Sequence, residues 1–116
     1  MKEKKALFLK FFGDSPNFRM IDFLLEHRLE DFTKTDIAKG AEISWASLFN
    51  HWSMLEEYGV VKQTRQIGRM TLYQLNETSP VVKQLKAIET ALIKQAADEE
   101  EGKVVVKAKT ANRARK

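Results

Sequence analysis

Cysteine is absent from this chain of 116 residues, which excludes disulfide bonds and cysteine-ligated zinc sites and agrees with a reducing, cytoplasmic environment. The two histidines, His27 and His51, lie far apart in the sequence, so no spacing typical of a metal site is present. A glycine-rich phosphate loop and a nucleophile elbow are also missing. We therefore predict no catalytic residue, no metal and no cofactor, and we expect the protein not to be an enzyme.

Long hydrophobic runs are missing as well. The charged residues at positions 1–5 are followed only by a short apolar patch that ends before Asp14, so we expect neither a signal peptide nor a membrane span. Apolar residues make up 43% of the chain and charged residues 31%, which is typical of a soluble globular protein. A chain of this length forms a single domain with one core.

The net charge of +4 is unevenly distributed along the chain. Residues 1–95 carry 14 Lys and Arg against 12 Asp and Glu, whereas residues 102–116 carry six basic residues and no acidic one. We expect a folded domain over residues 1–97 and a charged, disordered tail over residues 98–116, with the solvated end of a helix as the alternative for the acidic block at 98–101. Whether the basic tail binds phosphates non-specifically stays open from the sequence. Any nucleic-acid binding by the nearly neutral domain then depends on a local patch.

One helix stands at the centre of the chain, over residues 44–58. Ser44 is a favoured N-cap, Leu48, Trp52 and Leu55 form one buried stripe, and Gly59 ends the helix. A short helix over residues 36–40, capped by Thr35, precedes it. Two β-type runs follow, joined by a tight turn at Gly68 and Arg69. This order predicts a helix-turn-helix over residues 35–59 and a hairpin, or wing, over residues 60–75.

Three further helices are predicted around this motif. The first covers residues 3–12 and is apolar on more than one side, and the second begins at Pro16 and ends near residue 28. Residues 30–33 form a connection in which one residue pairs with the hairpin. The last helix covers residues 79–97, and its apolar residues recur at the spacing of a helix pair; they are Val81, Leu85, Ile88 and Leu92.

The motif resembles the winged helix-turn-helix of small bacterial and archaeal regulators of the MarR and ArsR type. The resemblance rests on Asp36-Ile37-Ala38, the Ile43-Ser44 pair, Leu48 and Leu55 within the second helix, the run LEEYGVV at 55–61, and a hairpin with Gly68, Arg69, Tyr73 and Leu75. It implies a mostly α fold with a small β-hairpin, that is, a winged helix-turn-helix (α+β) with a long C-terminal dimerisation helix. It further implies a DNA-binding transcriptional regulator that acts as a homodimer on double-stranded DNA.

The resemblance also implies which residues contact DNA. The helix over residues 44–58 enters the major groove, and the wing over residues 62–70 reaches the backbone or the minor groove. The implied contacts are Ser44, Trp45, Ser47, Phe49 and Asn50 on the helix and Lys62, Arg65 and Arg69 on the wing. The sequence departs from the pattern in one respect, because no Lys or Arg stands between Lys39 and Lys62. Asn50 would then pair with adenine, and Trp45 or Phe49 would contact a thymine methyl.

The sequence leaves two questions open, namely where the aromatic residues of the central helix face and how the terminal helices pack. Trp45 and Phe49 either face DNA, pack in the core, or form a patch for a protein partner. In the last case the chain is a winged-helix protein-interaction module of a transcription or replication complex. The terminal helices either form the dimer that the resemblance implies, through Leu85, Ile88, Leu92, Phe8 and Phe12, or the last helix folds back on the first. No small-molecule effector is evident.

Overall fold

The computed structural model describes residues 6–101. Within this range it contains five helices and one antiparallel hairpin: α1 (Leu7–Phe12), α2 (Pro16–Glu26), α3 (Lys34–Ala41), α4 (Trp45–Glu57), β1 (Val61–Ile67), β2 (Met70–Leu75) and α5 (Pro80–Glu101). The order of elements confirms the predicted mostly α fold with a small hairpin and a long last helix. Residues 3–5 of the predicted first helix lie outside the described range.

The core is built from one face each of α2, α3 and α4. On these three helices the large, fully buried residues are Met20, Leu24, Ile37, Leu48 and Leu55. Burying each large apolar side chain contributes about 1.5–3 kcal/mol relative to exposure, so this three-helix contact fixes how α4 sits on the domain. From the other side, Phe8 of α1 and Val82 of α5 close the same core, with 1% and 0% of their surface exposed.

Helix α3 begins two residues earlier than predicted, because Thr33 and not Thr35 is its N-cap. The Thr33 hydroxyl accepts a hydrogen bond from the Asp36 backbone N–H at 3.1 Å, and the Asp36 carboxylate accepts one from the Thr33 N–H at 3.2 Å. This reciprocal capping box satisfies two backbone donors at the helix start. The helix ends at Ala41, and its C-cap Glu42 has a positive φ of 59°. Arg19 of α2 donates to the Glu42 carbonyl at 2.7 Å. The turn between the two helices is therefore braced by α2.

Helix α4 starts and buries its stripe as predicted. The Ser44 hydroxyl accepts a hydrogen bond from the Ser47 backbone N–H at 3.0 Å, and the buried residues are Leu48, Trp52 and Leu55. Gly59 follows the helix with a φ of +69°, a backbone conformation that glycine adopts without steric strain. The chain then enters β1 directly, which places the hairpin beside α4.

The hairpin contains a β-bulge that the sequence analysis did not predict. Gln63 lies opposite Tyr73 and Arg65 lies opposite Leu72, so Thr64 has no partner across the ladder. A bulge re-aims the residues that follow it, so the side chains beyond Gln63 do not continue the alternation of a regular strand. The predicted single strand residue in the connection is confirmed: Phe32 forms a bridge with Tyr73, through hydrogen bonds of 2.8 and 2.7 Å.

Helix α5 extends to Glu101 and thus beyond the predicted end at residue 97. Residues 98–101 are helical and not part of an irregular tail, while residues 102–116 of the predicted tail lie outside the described range. The first half of α5 packs on α1 and on the core through Val82 and Leu85. The last helix therefore folds back on the first within one chain.

Candidate nucleic-acid interface

The outer face of α4 carries two exposed aromatic residues one helical turn apart. Trp45 has 53% and Phe49 has 66% of its surface exposed, and Asn50 beside them is exposed too. Neither aromatic residue is in the core, which removes one of the alternatives left open by the sequence. Ser44 is exposed with its hydroxyl used as the helix cap, and Ser47 is half-buried. The residues predicted to face a groove are thus on the accessible side of α4.

This face is uncharged over its whole length. No Lys, Arg, Asp or Glu stands between Glu42 and Glu56, and His51 is half-buried towards the domain. Large apolar side chains exposed together on one surface mark an interaction site more often than an ordinary surface. The face combines such a surface with one amide group, that of Asn50.

The wing ends in a narrow tip with a single cation. Gly68 has a φ of +60° at the first position of the two-residue turn, as a type II′ turn requires, and Arg69 occupies the second. Ile67 and Met70 lie opposite each other below the turn, with 47% and 51% of their surfaces exposed. Among residues 6–101, no hydrogen bond or ion pair engages the Arg69 guanidinium. The Arg69 charge is therefore accessible at the wing tip, above the apolar side chains of Ile67 and Met70.

Arg65, which was predicted to contact DNA, forms an ion pair with an acidic residue of the α2–α3 loop. Its Nε and Nη2 donate to the two carboxylate oxygens of Asp31 at 2.9 and 3.2 Å, and the Thr64 hydroxyl donates to the same carboxylate at 2.7 Å. The hydrogen bonds from Arg65 and Thr64 lower the pKa of Asp31, and Asp31 raises the pKa of Arg65. Both groups are charged at neutral pH. The Arg65 side chain remains 59% exposed, so a phosphate contact of Arg65 would compete with this ion pair.

Asp31 is the residue that the sequence analysis missed. It precedes Phe32, the residue of the 30–33 connection that pairs with Tyr73 of β2, and that pairing holds the loop against the hairpin. An acidic residue in a connection that pairs with a hairpin is a signal that an arginine of the hairpin has a partner. The predicted contact Lys62 is exposed on β1, nearer the base of the wing.

Several contacts tie the wing to the helices. The Phe32–Tyr73 bridge and the Asp31–Arg65 ion pair hold both strands to the α2–α3 loop. The Lys34 ammonium lies 5.1 Å from the Trp52 ring centre and 5.8 Å from that of Tyr73, so this cation–π contact joins α3, α4 and β2. We refer to α3, α4 and the wing together as the binding unit.

The residues predicted for dimerisation fall into two groups. Phe8 is buried in the core of its own chain, so the expectation that it contacts a partner is corrected: its ring already packs against Phe12 and Phe18. Phe12 is half-buried and stacks on Phe18 with ring centres 4.8 Å apart. The predicted α5 residues remain half-buried in the single chain; they are Leu85, Ile88 and Leu92.

Residues 6–101 lack two further features, a metal-binding cluster and a membrane-spanning helix. No group of three or more His, Asp or Glu side chains is close enough to hold a metal ion within this part of the chain. No helix in the same range is long and apolar enough to cross a membrane.

A tight turn joins α3 to α4, whose outer face is exposed, and the hairpin follows α4 and lies beside it. This arrangement defines a winged helix-turn-helix. Neither a protein-family model nor a curated protein sequence matches the chain. Solved structures do match, and they share the fold of MarR-like winged-helix regulators.

Three of these structures illustrate the likeness. A mutant of Staphylococcus aureus MepR bound to an oligodeoxyribonucleotide has 15% identity and a TM-score of 0.60, covering 98% of this chain and 83% of that chain; MepR is a transcription regulator of the multidrug efflux pump MepA. A mutant of Lactococcus lactis ZitR in complex with DNA has 22% identity and a TM-score of 0.51, and the match covers 84% of this chain and 73% of that chain. NadR in complex with 4-hydroxyphenylacetate has 20% identity and a TM-score of 0.56, and the match covers 93% of this chain and 79% of that chain.

Proposed function

We propose that this protein is a cytoplasmic DNA-binding transcriptional regulator that acts as a homodimer and performs no chemistry. The observation that carries the proposal is the pairing of the exposed α4 face with the unengaged Arg69 at the wing tip. A helix of this kind fits the major groove, and a narrow cationic hairpin fits the neighbouring backbone or minor groove. Two proteins of the same fold, MepR and ZitR, have structures with DNA, which supports this choice of partner.

The wing and the helix have separate roles in this proposal. Arg69, and Lys62 near the wing base, contact phosphates or the groove floor and give affinity that falls with salt. Asn50 and the aromatic residues of α4 contact base edges and give sequence preference. Ser44 and Ser47 contact phosphates near the start of α4, where backbone N–H groups and the helix dipole also favour an anion.

The test is a selection of bound duplexes from a random pool, followed by affinity measurements over a range of salt concentrations. Arg69→Ala should weaken binding to all duplexes and reduce the salt slope by about one unit, because the wing loses the cation that lies near the phosphates. Asn50→Ala should weaken binding to the selected site much more than to unrelated DNA. Lys83→Ala, which removes an exposed charge from α5, is the control and should change neither property. Absence of any DNA binding by the full chain at low salt would refute the proposal.

Dimerisation through α5 is the second part of the proposal. In one chain the apolar face of α5 is only half-covered at Ile88 and Leu92, and Ile93 is 53% exposed. A two-fold dimer built on this face would place two α4 helices about one DNA turn apart, roughly 34–36 Å, on a pseudo-palindromic site. Leu92→Asp should give a monomer in light scattering and weaken binding to the selected site. Thr90→Asp adds the same charge on the opposite face of α5 and should remain dimeric.

One observation favours a different function, namely a protein-interaction module. The α4 face carries Trp45 and Phe49 and no cation, and exposed tryptophan is enriched at protein interfaces. In that case Trp45→Ala should leave DNA binding unchanged while abolishing association with the partner protein.

A further inference from the structure

We infer that the DNA half-site of this protein consists mainly of A·T base pairs, both where α4 enters the major groove and where the wing tip enters the minor groove. This inference rests on the proposed function and adds the class of DNA sequence. It comes from the side chains that the binding unit presents, and from those that it lacks.

The side chains of the α4 face that distinguish between bases are ones that recognise adenine and thymine. Asn50 has the amide that pairs with the N6 and N7 atoms of adenine, and Trp45 and Phe49 present apolar surface of the kind that contacts the thymine methyl group. Guanine is contacted mainly by Arg or Lys, and cytosine by Glu or Asp. None of these four residue types stands between Glu42 and Glu56. The serine hydroxyls pair with either kind of base pair, so they do not alter this preference.

The wing also favours A·T base pairs, in this case through the shape and potential of the minor groove. A-tracts have a narrow minor groove with an enhanced negative potential, which attracts an inserted arginine. Arg69 is the wing arginine that no described residue engages, since Arg65 is held by Asp31. The apolar shoulders Ile67 and Met70 stand on either side of the tip. A single cation between apolar shoulders fits a narrow groove better than a broad one, where water would separate it from the groove floor.

Charge and polarity decide between DNA and a protein as the occupant. An apolar protein partner would account for Trp45 and Phe49 alone. It would not account for an exposed amide one residue along the helix and an unengaged cation on the neighbouring wing. An A·T-rich duplex offers adenine to the Asn50 amide, thymine methyl groups to the aromatic residues, and a narrow minor groove with negative potential to Arg69.

The experiment uses the full chain and the duplex selected from a random pool. Base analogues then replace natural bases in the segment contacted by α4 or in the segment contacted by the wing. Deoxyuridine removes only the thymine methyl group. An inosine·cytosine pair keeps the minor-groove face of an A·T pair but changes its major-groove face.

We expect the selected half-site to be A·T-rich. Deoxyuridine in the α4 segment should weaken binding of the native chain severalfold, and should have no further effect on a Trp45→Ala, Phe49→Ala double variant. Inosine·cytosine pairs in the α4 segment should weaken binding by roughly 5- to 150-fold, the range for losing one good base contact. The same pairs in the wing segment should leave binding nearly unchanged.

Two results would overturn the inference while leaving the proposed function in place. One is a selected half-site with G·C pairs under α4; the other is equal affinity for thymine and deoxyuridine duplexes. Binding without any sequence preference, or no DNA binding at all, would instead remove the proposed function itself. In that case, association of a protein partner that depends on Trp45 would identify the α4 face as a protein-binding surface.

Discussion

Replacing Asp22 by Asn should stabilise this protein at neutral pH and not in acid. Asp22 lies on α2 with only 9% of its surface exposed. Its pKa is raised from the ordinary 3.8 to about 6, first by burial and then by the negative charges of Glu26 and Glu89. The folded state therefore favours the neutral carboxyl group, and the ionised form at neutral pH is a source of instability.

The sign and size of the effect follow from proton linkage. Between pH 3.8 and 6 the folded state binds more protons at Asp22 than the unfolded state does, so the free energy of unfolding falls as pH rises through this window. A pKa difference of about two units corresponds to about 3 kcal/mol, which is an upper limit. Partial access of water reduces the expected penalty to about 1–2 kcal/mol above pH 6. Asn has nearly the same volume and no ionisation, so it removes this penalty.

Urea unfolding from pH 4 to pH 8 measures the effect directly. The free energy of unfolding of Asp22→Asn should exceed that of the native chain at pH 7–8, and the difference should vanish near pH 4. Glu57→Gln, which changes an exposed carboxylate at the end of α4, is the control and should not reproduce this pH dependence. A difference between Asp22→Asn and the native chain that is constant across the whole range would refute the reasoning, because it would show that Asp22 ionises alike in both states.

Two further predictions concern the packing of α3 and the charge of the wing. Gly40→Ala should destabilise the chain by about 1–3 kcal/mol in urea unfolding, since a Cβ there would overlap the ring of Phe23; a gain of about 1 kcal/mol, the usual result within an exposed helix, would contradict this. Asp31→Asn should release Arg65 and steepen the salt dependence of DNA binding by about one unit. Glu30→Gln removes the same charge from the neighbouring position, and an equal effect of both changes would indicate general electrostatics and not the ion pair.

The parts of the fold that depend on local sequence could be predicted. The buried stripe of α4 and its Ser44 cap follow from residues within four positions of each other, and both are present. The start of α3 was misassigned although the information is local: Thr33 and Asp36 have the spacing of a capping box, whereas Thr35 is only a possible cap. Two threonines in close succession make this boundary ambiguous until the reciprocal hydrogen bonds are seen.

The parts of the site that depend on distant contacts could not be predicted. Arg65 and Asp31 are separated by 34 positions, and the bulge at Thr64 decides where the arginine points. The exposure of Trp45 was equally undetermined, because a residue in the first turn of a helix faces the core or solvent according to how the neighbouring elements are placed. Only the assembled domain shows that α2 and α3 leave that position uncovered.

Under the proposed function, the contacts that hold the wing to the helices determine which spacing of contacted base pairs the protein accepts. The Phe32–Tyr73 bridge and the cation–π contact of Lys34 limit changes in the orientation of the hairpin relative to α4. The distance between Asn50 and Arg69 is therefore nearly constant. One base pair lengthens the duplex by about 3.4 Å, and an insertion between the two contacted segments would put one of them out of phase. Under the proposed function, the spacing within each half-site is therefore as strict a requirement as base composition. A duplex whose dimensions do not match the separation of Asn50 and Arg69 would have to bend or twist to be bound.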